Sequence, residues 1–276
     1  MNEENAELLS GFVDYLRQTG KANCTVISYA GDIRQWLNFL GEVSGLQAEE
    51  NEVKAFLQKM KTLKANEKTL SRKINALHTF YRSLVKNGKI LADPSGNIRP
   101  PKVKNNEARI LTKMEYRALR DTVRGNLRLA AIIEVLLQTG IRIAELAGLK
   151  IRDIKEDKLN INGRIIQLTT TAKQCVNNYL QTRGRVRDDA PLFATKTGKQ
   201  LLIRNIRTLI DRGFEKAGIK EARVNDLRST WINYQLASGV DPRLVAEIAG
   251  HKRLASTTKY FKEEEKKNYK KRVVEL

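Results

Sequence analysis

Apolar residues in the first third of the chain recur three or four positions apart, the spacing of one face of an α-helix. Leu8, Phe12 and Leu16 mark a first helix, and Asn66 and Thr69 are candidate caps for the last helix of this region. The pattern predicts a small bundle of four helices. The other stripes are Tyr29, Ile33, Trp36, Leu37 and Leu40, a segment over about 49–63, and Leu70, Ile74, Leu77, Tyr81 and Leu84.

A stretch rich in proline and basic residues follows the bundle. Pro94, Pro100 and Pro101 exclude a regular helix, and Lys102 and Lys104 add positive charge. We expect a basic connection that lets two halves of the chain close around a polyanion. The predicted organisation is a helical domain over 1–92, a linker over 93–109 and a second domain over 110–276.

The second half combines helices with a short β element. Three apolar or alternating runs lie close together, and Asn162 with Gly163 gives the signal of a two-residue hairpin turn. A mainly α fold with a small three-stranded antiparallel sheet is therefore predicted. The strands fall at 151–154, 159–161 and 164–168, and the helices at 112–123, 126–139, 173–181, 203–217, 226–237, 242–248 and after Phe261.

Charge indicates the class of partner. The chain carries 51 Lys and Arg against 31 Asp and Glu, a formal charge of +20. Residues 1–52 have a net charge of −6, 53–98 of +8 and 99–276 of +18. Basic side chains that displace counterions from phosphates favour nucleic acid as the partner. The candidate DNA contacts in the basic segments are Arg72, Lys73, Lys102 and Lys104.

Several classes of protein are disfavoured by the sequence. No apolar run approaches the length of a membrane-spanning helix, and the acidic start lacks the basic region of a signal peptide. We expect a cytoplasmic, nucleoid-associated protein. Cys24 and Cys175 lie far apart without metal-ligand spacing, so the prediction is buried, reduced thiols and no zinc site. His78, Trp231 and Tyr234 lie on or beside apolar helix faces and are predicted to belong to the cores.

Four residues of the second half suit phosphodiester chemistry. Arg228 precedes His251 by 23 positions, Tyr260 follows His251 by 9, and Arg142 lies upstream at a predicted helix start. An arginine fork neutralises phosphate oxygens, an imidazole shares a proton near pH 7, and a tyrosine can attack phosphorus. The set needs no metal, and it predicts DNA strand transfer through a phosphotyrosine.

These residues lie in motifs that carry a family resemblance. The segments TGIRIAELAGLKIRDI, NDLRSTW and GHKRLASTTKYF, in this order behind a helical first half, resemble the tyrosine recombinases of the integrase superfamily and, among them, the compact Xer-like members. The resemblance covers essentially the whole chain. It implies a core-binding domain, a catalytic domain and a C-shaped clamp on DNA, with no cofactor or metal. It also implies that a tetramer pairs two double-stranded sites and exchanges strands through a Holliday junction.

The resemblance assigns roles to individual residues. Tyr260 is the expected nucleophile that forms a 3′-phosphotyrosine and releases a 5′ hydroxyl, whereas Tyr269 has the wrong spacing from His251. Arg142 and Arg228 would hold the non-bridging oxygens, where charge grows in the transition state. His251 would hydrogen-bond the same phosphate or assist deprotonation of the tyrosine. The remaining assignment is Glu145, one helical turn beyond Arg142, which would orient part of the site.

The chain departs from the family pattern in two places. Asn225 stands where the family usually has histidine, and an amide cannot exchange a proton near neutrality; Ser229 replaces a further histidine that generally packs. The hairpin turn lacks the usual lysine that protonates the leaving oxygen. Arg164 at this turn would stabilise that oxygen electrostatically, or Lys158 would reach in from the preceding strand. Both departures are compatible with a slow enzyme.

Two other functions stay open on the sequence. One is a DNA-binding accessory protein on the same fold whose altered site no longer cuts, and the other is a relaxing topoisomerase of related chemistry. Accessory DNA-bending proteins are possible partners of the recombinase. The tail after Phe261 is expected to dock onto a neighbouring subunit or to remain solvated. The sequence leaves open the recombination site and the choice among integration, excision and resolution.

Overall fold

The computed structural model describes residues 1–102 and 108–261. The chain divides into two compact units, Met1–Asn105 and Asn106–Leu276. None of the helices in the described ranges combines the length and the apolar character needed to cross a bilayer. The predictions for Lys104, Tyr269 and the charged helix after Phe261 concern residues outside these ranges.

The first unit is the predicted helical bundle. Asn2 and Asn66 cap its first and last helices, each accepting a hydrogen bond from the backbone N–H three residues on. Thr69, the other predicted cap, instead lies inside the last helix and donates that N–H to Asn66. The helices are α1 (Glu3–Gln18), α2 (Asn23–Leu40), α3 (Glu50–Thr62) and α4 (Glu67–Lys86).

The bundle is held together by aromatic packing. Trp36 and Tyr81 are fully buried, and the indole Nε1 donates to the phenol oxygen at 2.9 Å. This bond pairs the indole N–H with the phenol oxygen, so that neither polar group is left without a partner inside an apolar core. The segment after α4 also belongs to this unit, since Ser95 is buried and its carbonyl oxygen lies 2.8 Å from Nε2 of His78. This contact links the residues that follow the predicted domain end at residue 92 to α4.

Lys73 differs from its sequence prediction. Its side chain is 5% exposed, and its ammonium contacts Asp32 at 2.9 Å and the amide oxygen of Gln35 at 2.5 Å. Arg72 pairs with the other carboxylate oxygen of Asp32 but keeps 41% of its side chain exposed. An acidic residue on α2 thus draws Lys73 inward because a buried charge needs a partner. Lys73 does not lie on the surface where a DNA contact was predicted.

The second unit is helical with one small sheet, as predicted. Thr112 and Glu115 form a reciprocal capping box at its first helix. The helices are α5 (Lys113–Val123), α6 (Leu127–Thr139), α7 (Ile143–Gly148), α8 (Thr170–Gln181), α9 (Ile203–Lys216), α10 (Val224–Ala237), α11 (Pro242–Ala249) and α12 (Ala255–Thr258).

The sheet is antiparallel with the order β1-β2-β3, comprising Ile154–Lys155, Lys158–Ile161 and Arg164–Gln167. Asn162 and Gly163 both have positive φ, as a two-residue hairpin turn requires. The predicted strand over 151–154 is mostly wrong, because Ile151–Asp153 forms a 3-10 turn. Its amides are satisfied elsewhere: those of Ile151 and Arg152 donate to the backbone oxygens of Ala190 and Asp188.

Two predictions of burial in this chain are also wrong. Tyr234 is 59% exposed, although Trp231 one turn earlier on α10 is buried at 6%. Cys24 is exposed and Cys175 only half-buried, so buried thiols are not what the fold provides. Tyr234 lies in the last turn of α10, Cys24 in the first turn of α2, and Cys175 next to the buried Val176 on α8.

Candidate active site

Three chain segments meet at the carboxyl-terminal end of α11. Gly140 ends α6 in the left-handed conformation, and Gly250 ends α11 in the same way. A Cβ on Gly140 would overlap the indole ring of Trp231, so only glycine lets α6 end directly against α10. These two turns bring the residues after α6 and α11 close to Arg228 on α10.

Arg228 is the buried charge of the site. Its residue exposure is 6%, and Nη1 donates to the backbone oxygens of Gly140 and, at 2.8 Å, of Ala249. Nη2 is buried and has no hydrogen-bond partner among the described residues. Burial, followed by the charge of Arg142, lowers the pKa of Arg228 to about 10, so the guanidinium stays protonated at pH 7. The side chain therefore has one unmatched guanidinium nitrogen, Nη2, and a full positive charge.

Arg142 approaches the same helix end from the start of α7. Its Nη2 donates to the oxygen of Gly250 at 2.7 Å, and its Nη1 lies 3.3 Å from the oxygen of Ala249. Glu145 accepts from the Arg142 amide at 2.7 Å and lies 3.4 Å from its guanidinium. The carboxylate thus fixes both the backbone and the side chain of Arg142, which keeps 43% of its side chain exposed.

Arg164 completes the cluster from the hairpin. Its Nη1 donates to the oxygen of Ile248 at 2.5 Å, and its Nη2 forms an ion pair with Glu145. Lys158, the alternative basic residue, is exposed four residues from the hairpin turn and paired in register with Gln167. The structure therefore brings Arg164, and not Lys158, to the other arginines.

The last carbonyl oxygens of α11 hold all three guanidiniums. Carbonyls at a helix end lack intrahelical partners and carry the negative end of the helix dipole, so cations are favoured there. Within the described ranges, however, these three guanidiniums face one carboxylate, that of Glu145. The excess positive charge and the free Nη2 of Arg228 would both be satisfied by an anion with several oxygen acceptors. Phosphate is an anion of this kind.

His251 follows Gly250 and is neutral at physiological pH. Burial, then the nearby charges of Arg228, Arg142 and Lys259, lower its pKa to about 4. Its Nδ1 lies 2.6 Å from the hydroxyl of Thr257 on α12. A neutral imidazole next to guanidiniums can donate one hydrogen bond to an anion without adding to the repulsion.

Tyr260 lies just beyond α12, with its ring against the apolar cluster of Trp231, Ile232 and Val245. Its hydroxyl is 3.1 Å from Oγ of Ser229, the residue directly after Arg228. Lys259 lies 5.1 Å from the ring centre, a cation–π distance. The tyrosine hydroxyl therefore lies against α10, near enough to Arg228 for the two groups to interact electrostatically.

Some predicted residues lie elsewhere or make no contact. Asn225 is exposed on α10, one turn before Arg228, and its side chain has no hydrogen bond within the part of the chain that the structure describes. Lys102 is exposed in the first unit, where Arg72 is also partly accessible.

Three features of the site were missed at the sequence level. The contact of Thr257 with His251 joins residues six positions apart, and the threonine gives no sequence signal because its burial is visible only in the fold. Ser229 was treated as a packing residue, whereas it bonds the tyrosine hydroxyl. The role of the α11 carbonyls has no sequence signal, because every residue carries a carbonyl group.

Comparisons with known proteins agree with this arrangement. The sequence pattern of the Phage integrase family matches residues 109–267, and that of the N-terminal SAM-like domain of phage integrases matches residues 9–88. A tyrosine recombinase XerC from Pelobacter propionicus is 30% identical, over 86% of this chain and 83% of the relative. A tyrosine recombinase XerD from Lacticaseibacillus casei is 30% identical, over 92% of each chain.

Solved structures share the fold. A lambda integrase dimer bound to a COC′ core site superposes with a TM-score of 0.75 at 18% identity, over 92% of this chain and 76% of that one. The XerA recombinase matches with a TM-score of 0.54 at 24% identity, over 98% of both chains. A helical first unit and a mainly helical second unit with a small sheet are thus a recurring architecture.

Proposed function

The chain belongs to the phage integrase family and is a site-specific tyrosine recombinase, an enzyme that breaks and rejoins DNA; from this premise we propose how its residues carry the reaction. The observation that carries the proposal is the buried, protonated Arg228, whose Nη2 has no partner among the described residues and whose charge is felt by the nearby phenol of Tyr260. A nucleophile and a charged anchor for phosphate then share one site.

Tyr260 is the nucleophile. Its oxygen attacks the scissile phosphorus, a phosphorus–oxygen bond to the tyrosine forms, and the bond to the 5′ oxygen breaks. The phenol proton is lost and the leaving oxygen gains one, so the products are a 3′-phosphotyrosine and a 5′ hydroxyl. Attack by a 5′ hydroxyl of a partner strand reverses the step, and phosphate changes partner without hydrolysis.

Arg142 and Arg228 bind the non-bridging oxygens. Negative charge on these oxygens grows in the pentavalent transition state, so donors that are already fixed and partly desolvated stabilise that state more than the bound substrate. The carbonyl oxygens of Gly140, Ala249 and Gly250 hold both guanidiniums in place before DNA arrives. The cost of orienting them is therefore met during folding.

His251, Glu145 and Arg164 support these two arginines. His251 is neutral and donates a hydrogen bond to a phosphate oxygen, whereas Glu145 orients Arg142 and Arg164. Arg164 cannot act as a proton donor near neutral pH, so it stabilises the leaving oxygen electrostatically. Asn225 occupies the position of the family histidine and supplies an amide in place of a proton-transfer group.

The remaining parts of the proposal concern assembly. A core-binding domain over 1–92, a basic linker over 93–109 and a catalytic domain over 110–276 contact one duplex together, with Lys102, Lys104 and the exposed part of Arg72 near phosphates. Four copies pair two double-stranded sites and pass through a Holliday junction; a lambda integrase of the same fold has been solved as a tetramer on such a junction. The protein acts in the cytoplasm, associated with the nucleoid, with DNA-bending proteins as possible accessories.

The test is covalent trapping on DNA. Duplexes that the protein retains from a random-sequence pool are nicked, incubated with the protein and denatured, and the mixture is examined for a protein–DNA adduct. We expect an adduct with the native protein and with Tyr234→Phe and Tyr269→Phe, but none with Tyr260→Phe. Tyr234 is an exposed tyrosine of the same unit and is the matched control.

The outcome separates the two candidate functions. An adduct that persists in Tyr260→Phe would assign the nucleophile elsewhere. If the native protein forms no adduct on DNA that it demonstrably binds, the accessory-protein function is correct. The exposed Asn225 is the observation that favours this second candidate, because the proton-transfer group of its family position is missing.

A further inference from the structure

We propose that Thr257 is a positioning residue of the active site: its hydroxyl donates to Nδ1 of His251 and keeps the ring proton of the imidazole on Nε2. The inference rests on the proposed function, in which His251 contacts the scissile phosphate. It concerns a residue that neither touches the phosphate nor takes part in bond making, and it acts through the histidine.

The contact joins α12 to the residue that follows the end of α11. Thr257 is fully buried on α12, and its Oγ1 lies 2.6 Å from Nδ1 of His251, which directly follows the α11 end. The carbonyl oxygen of Thr257 accepts from the amide of Tyr260 at 3.1 Å. One residue therefore touches the imidazole through its side chain and the segment of the nucleophile through its backbone.

The direction of the bond follows from an accounting of hydrogens. A buried hydroxyl hydrogen without an acceptor is costly, and Nδ1 of His251 is the acceptor that the hydroxyl of Thr257 reaches within the described ranges. The hydroxyl must therefore donate, which requires a lone pair on Nδ1. In a neutral imidazole the proton is then on Nε2.

The surroundings of the ring agree with a neutral imidazole. Burial, followed by the charges of Arg228, Arg142 and Lys259, lowers the pKa of His251, so a second ring proton is disfavoured at pH 7. In a doubly protonated ring Nδ1–H would face the threonine oxygen, and the threonine hydrogen would lose its acceptor. Geometry and charge thus select the same protonation state.

This tautomer decides what His251 can do. An Nε2–H group donates to a non-bridging phosphate oxygen but cannot take the proton of a phenol. The histidine then serves as a fixed donor, comparable to one arm of an oxyanion hole, and not as a general base. Thr257 makes that donor available without rearrangement when DNA binds.

The experiment combines nitrogen NMR with single-turnover cleavage. Protein labelled with ¹⁵N-histidine is used because the chain has 2 histidines, and His78→Gln identifies the signals of His251. In the full-length native protein at pH 7 we expect a proton-bearing Nε2 and an unprotonated, hydrogen-bonded Nδ1. A proton on Nδ1 in that spectrum would overturn the proposal, and this arm needs neither DNA nor a substituted Thr257.

The variants test the consequence for the reaction. Thr257→Val removes the hydroxyl at nearly constant volume, Thr257→Ser keeps it, and Thr258→Val makes the same change at a neighbour whose side chain has no hydrogen bond in the described part of the chain. We expect Thr257→Val to shift the Nδ1 resonance and to slow cleavage on bound, nicked DNA about tenfold, the effect of one lost hydrogen bond. The other two should stay near the native rate.

Each result decides the proposal. Equal nitrogen shifts and rates for Thr257→Val and Thr258→Val would show that the hydroxyl is irrelevant, and a Thr257→Ser protein as slow as Thr257→Val would assign the loss to packing. If the native protein bound DNA without forming an adduct, the proposed function would fail. The NMR arm would still decide whether Thr257 fixes the tautomer.

Discussion

At the residue scale, different nitrogens of Arg228 anchor the side chain and remain available for phosphate. Nη1 of Arg228 is occupied by two backbone oxygens, whereas Nη2 remains free among the described residues. A lysine could not replace this arrangement, because a single ammonium cannot satisfy two carbonyls in fixed directions and still present a planar donor to phosphate. The charge survives burial because the pKa of Arg228, about 10, is well above neutral pH.

Asn225 gives the first prediction. Its side chain is exposed one turn before Arg228, so a histidine there fits without disturbing the core. Asn225→His should accelerate single-turnover cleavage by about tenfold or more, since proton transfer by a positioned side chain typically contributes at least that factor. Quench-flow measurement on saturating nicked DNA checks the chemical step separately from binding.

The control for this change is Asn225→Gln, which keeps an amide and should leave the rate near that of the native protein. An unchanged rate for Asn225→His, in a protein that binds and folds normally, would remove this position from proton transfer.

His251 gives a prediction for stability against pH. Its folded pKa, about 4, is below the ordinary value of 6.5, so the unfolded chain binds more protons between these values. The stability contributed by the neutral ring is complete above pH 6.5 and is lost as the pH falls toward 4. The difference in unfolding free energy between the native protein and His251→Asn should therefore shrink from pH 7 to pH 4.

Urea unfolding at pH 7, 5.5 and 4 measures this difference, and asparagine serves as the reference because it does not titrate in the range. A difference that stays constant with pH would mean that the ring has the same protonation state in both forms of the chain.

At the element scale, two helix ends perform different tasks with the same backbone conformation. Gly140 ends α6 against the indole of Trp231, whereas a Cβ on Gly250 would lie 2.7 Å from Nη1 of Arg164 and 3.1 Å from Nη1 of Arg142. The first neighbour is a rigid ring in the core, whereas the others are the ends of two long side chains, which can shift at the expense of their hydrogen bonds. An alanine at Gly140 should therefore mainly lower the stability of the protein, whereas an alanine at Gly250 should mainly lower the rate of cleavage.

Gly140→Ala is expected to destabilise the protein by several kcal/mol, since overlap with a packed ring adds to the left-handed strain. Gly250→Ala should cost only about 1 kcal/mol of stability yet reduce cleavage at least tenfold, because the guanidiniums must shift. Thermal unfolding and single-turnover cleavage measured on both variants provide the comparison.

Gly239→Ala, at a helix end where the glycine has a positive φ and open space around it, is the control for strain alone. Equal losses of activity and stability in the two active-site glycine variants would contradict this account.

The helices were more predictable from sequence than the site. Stripes such as Leu8, Phe12 and Leu16 report burial directly, because a buried face repeats with the period of the helix. The segment over 151–154 was assigned as a strand because its apolar residues fit either structure, and the deciding hydrogen bonds come from a chain segment almost forty residues later. Hydrogen bonds to residues distant in the chain produce no periodic pattern in the sequence.

The site was predictable where a residue type carries the chemistry by itself. Arg142, Arg228, His251 and Tyr260 were named from their types and spacing, and the structure brings them to one place. Thr257 and the α11 carbonyls were not named, because a hydroxyl or a carbonyl acquires a role only through what lies next to it. Residue type misled the prediction for Lys73. It was assigned to a DNA-contacting surface because it is basic, but its ion pair with the buried Asp32 keeps it inside the bundle.

At the scale of the whole molecule, charge is divided along the chain. Residues 1–52 have a net charge of −6, whereas 53–98 and 99–276 have +8 and +18. A duplex bound by phosphate contacts should follow the basic segments and leave the acidic one in solvent, because like charges on the duplex and the first segment repel. Binding affinity then reports on how many basic side chains release counterions.

The salt dependence of DNA affinity tests this division. The logarithm of the association constant should fall linearly with the logarithm of salt concentration, with a slope of about −0.9 for each phosphate contacted, measured by fluorescence anisotropy on a fixed duplex. Lys102→Gln should reduce the magnitude of the slope by about 1, because Lys102 is exposed next to the basic connection. Lys21→Gln removes an equally exposed lysine from the acidic segment and should leave the slope unchanged. Equal changes of the slope for both variants would mean that net charge alone attracts DNA. A change for Lys102→Gln only would place the duplex along the basic segments, since only a charge that displaces a counterion contributes to the slope.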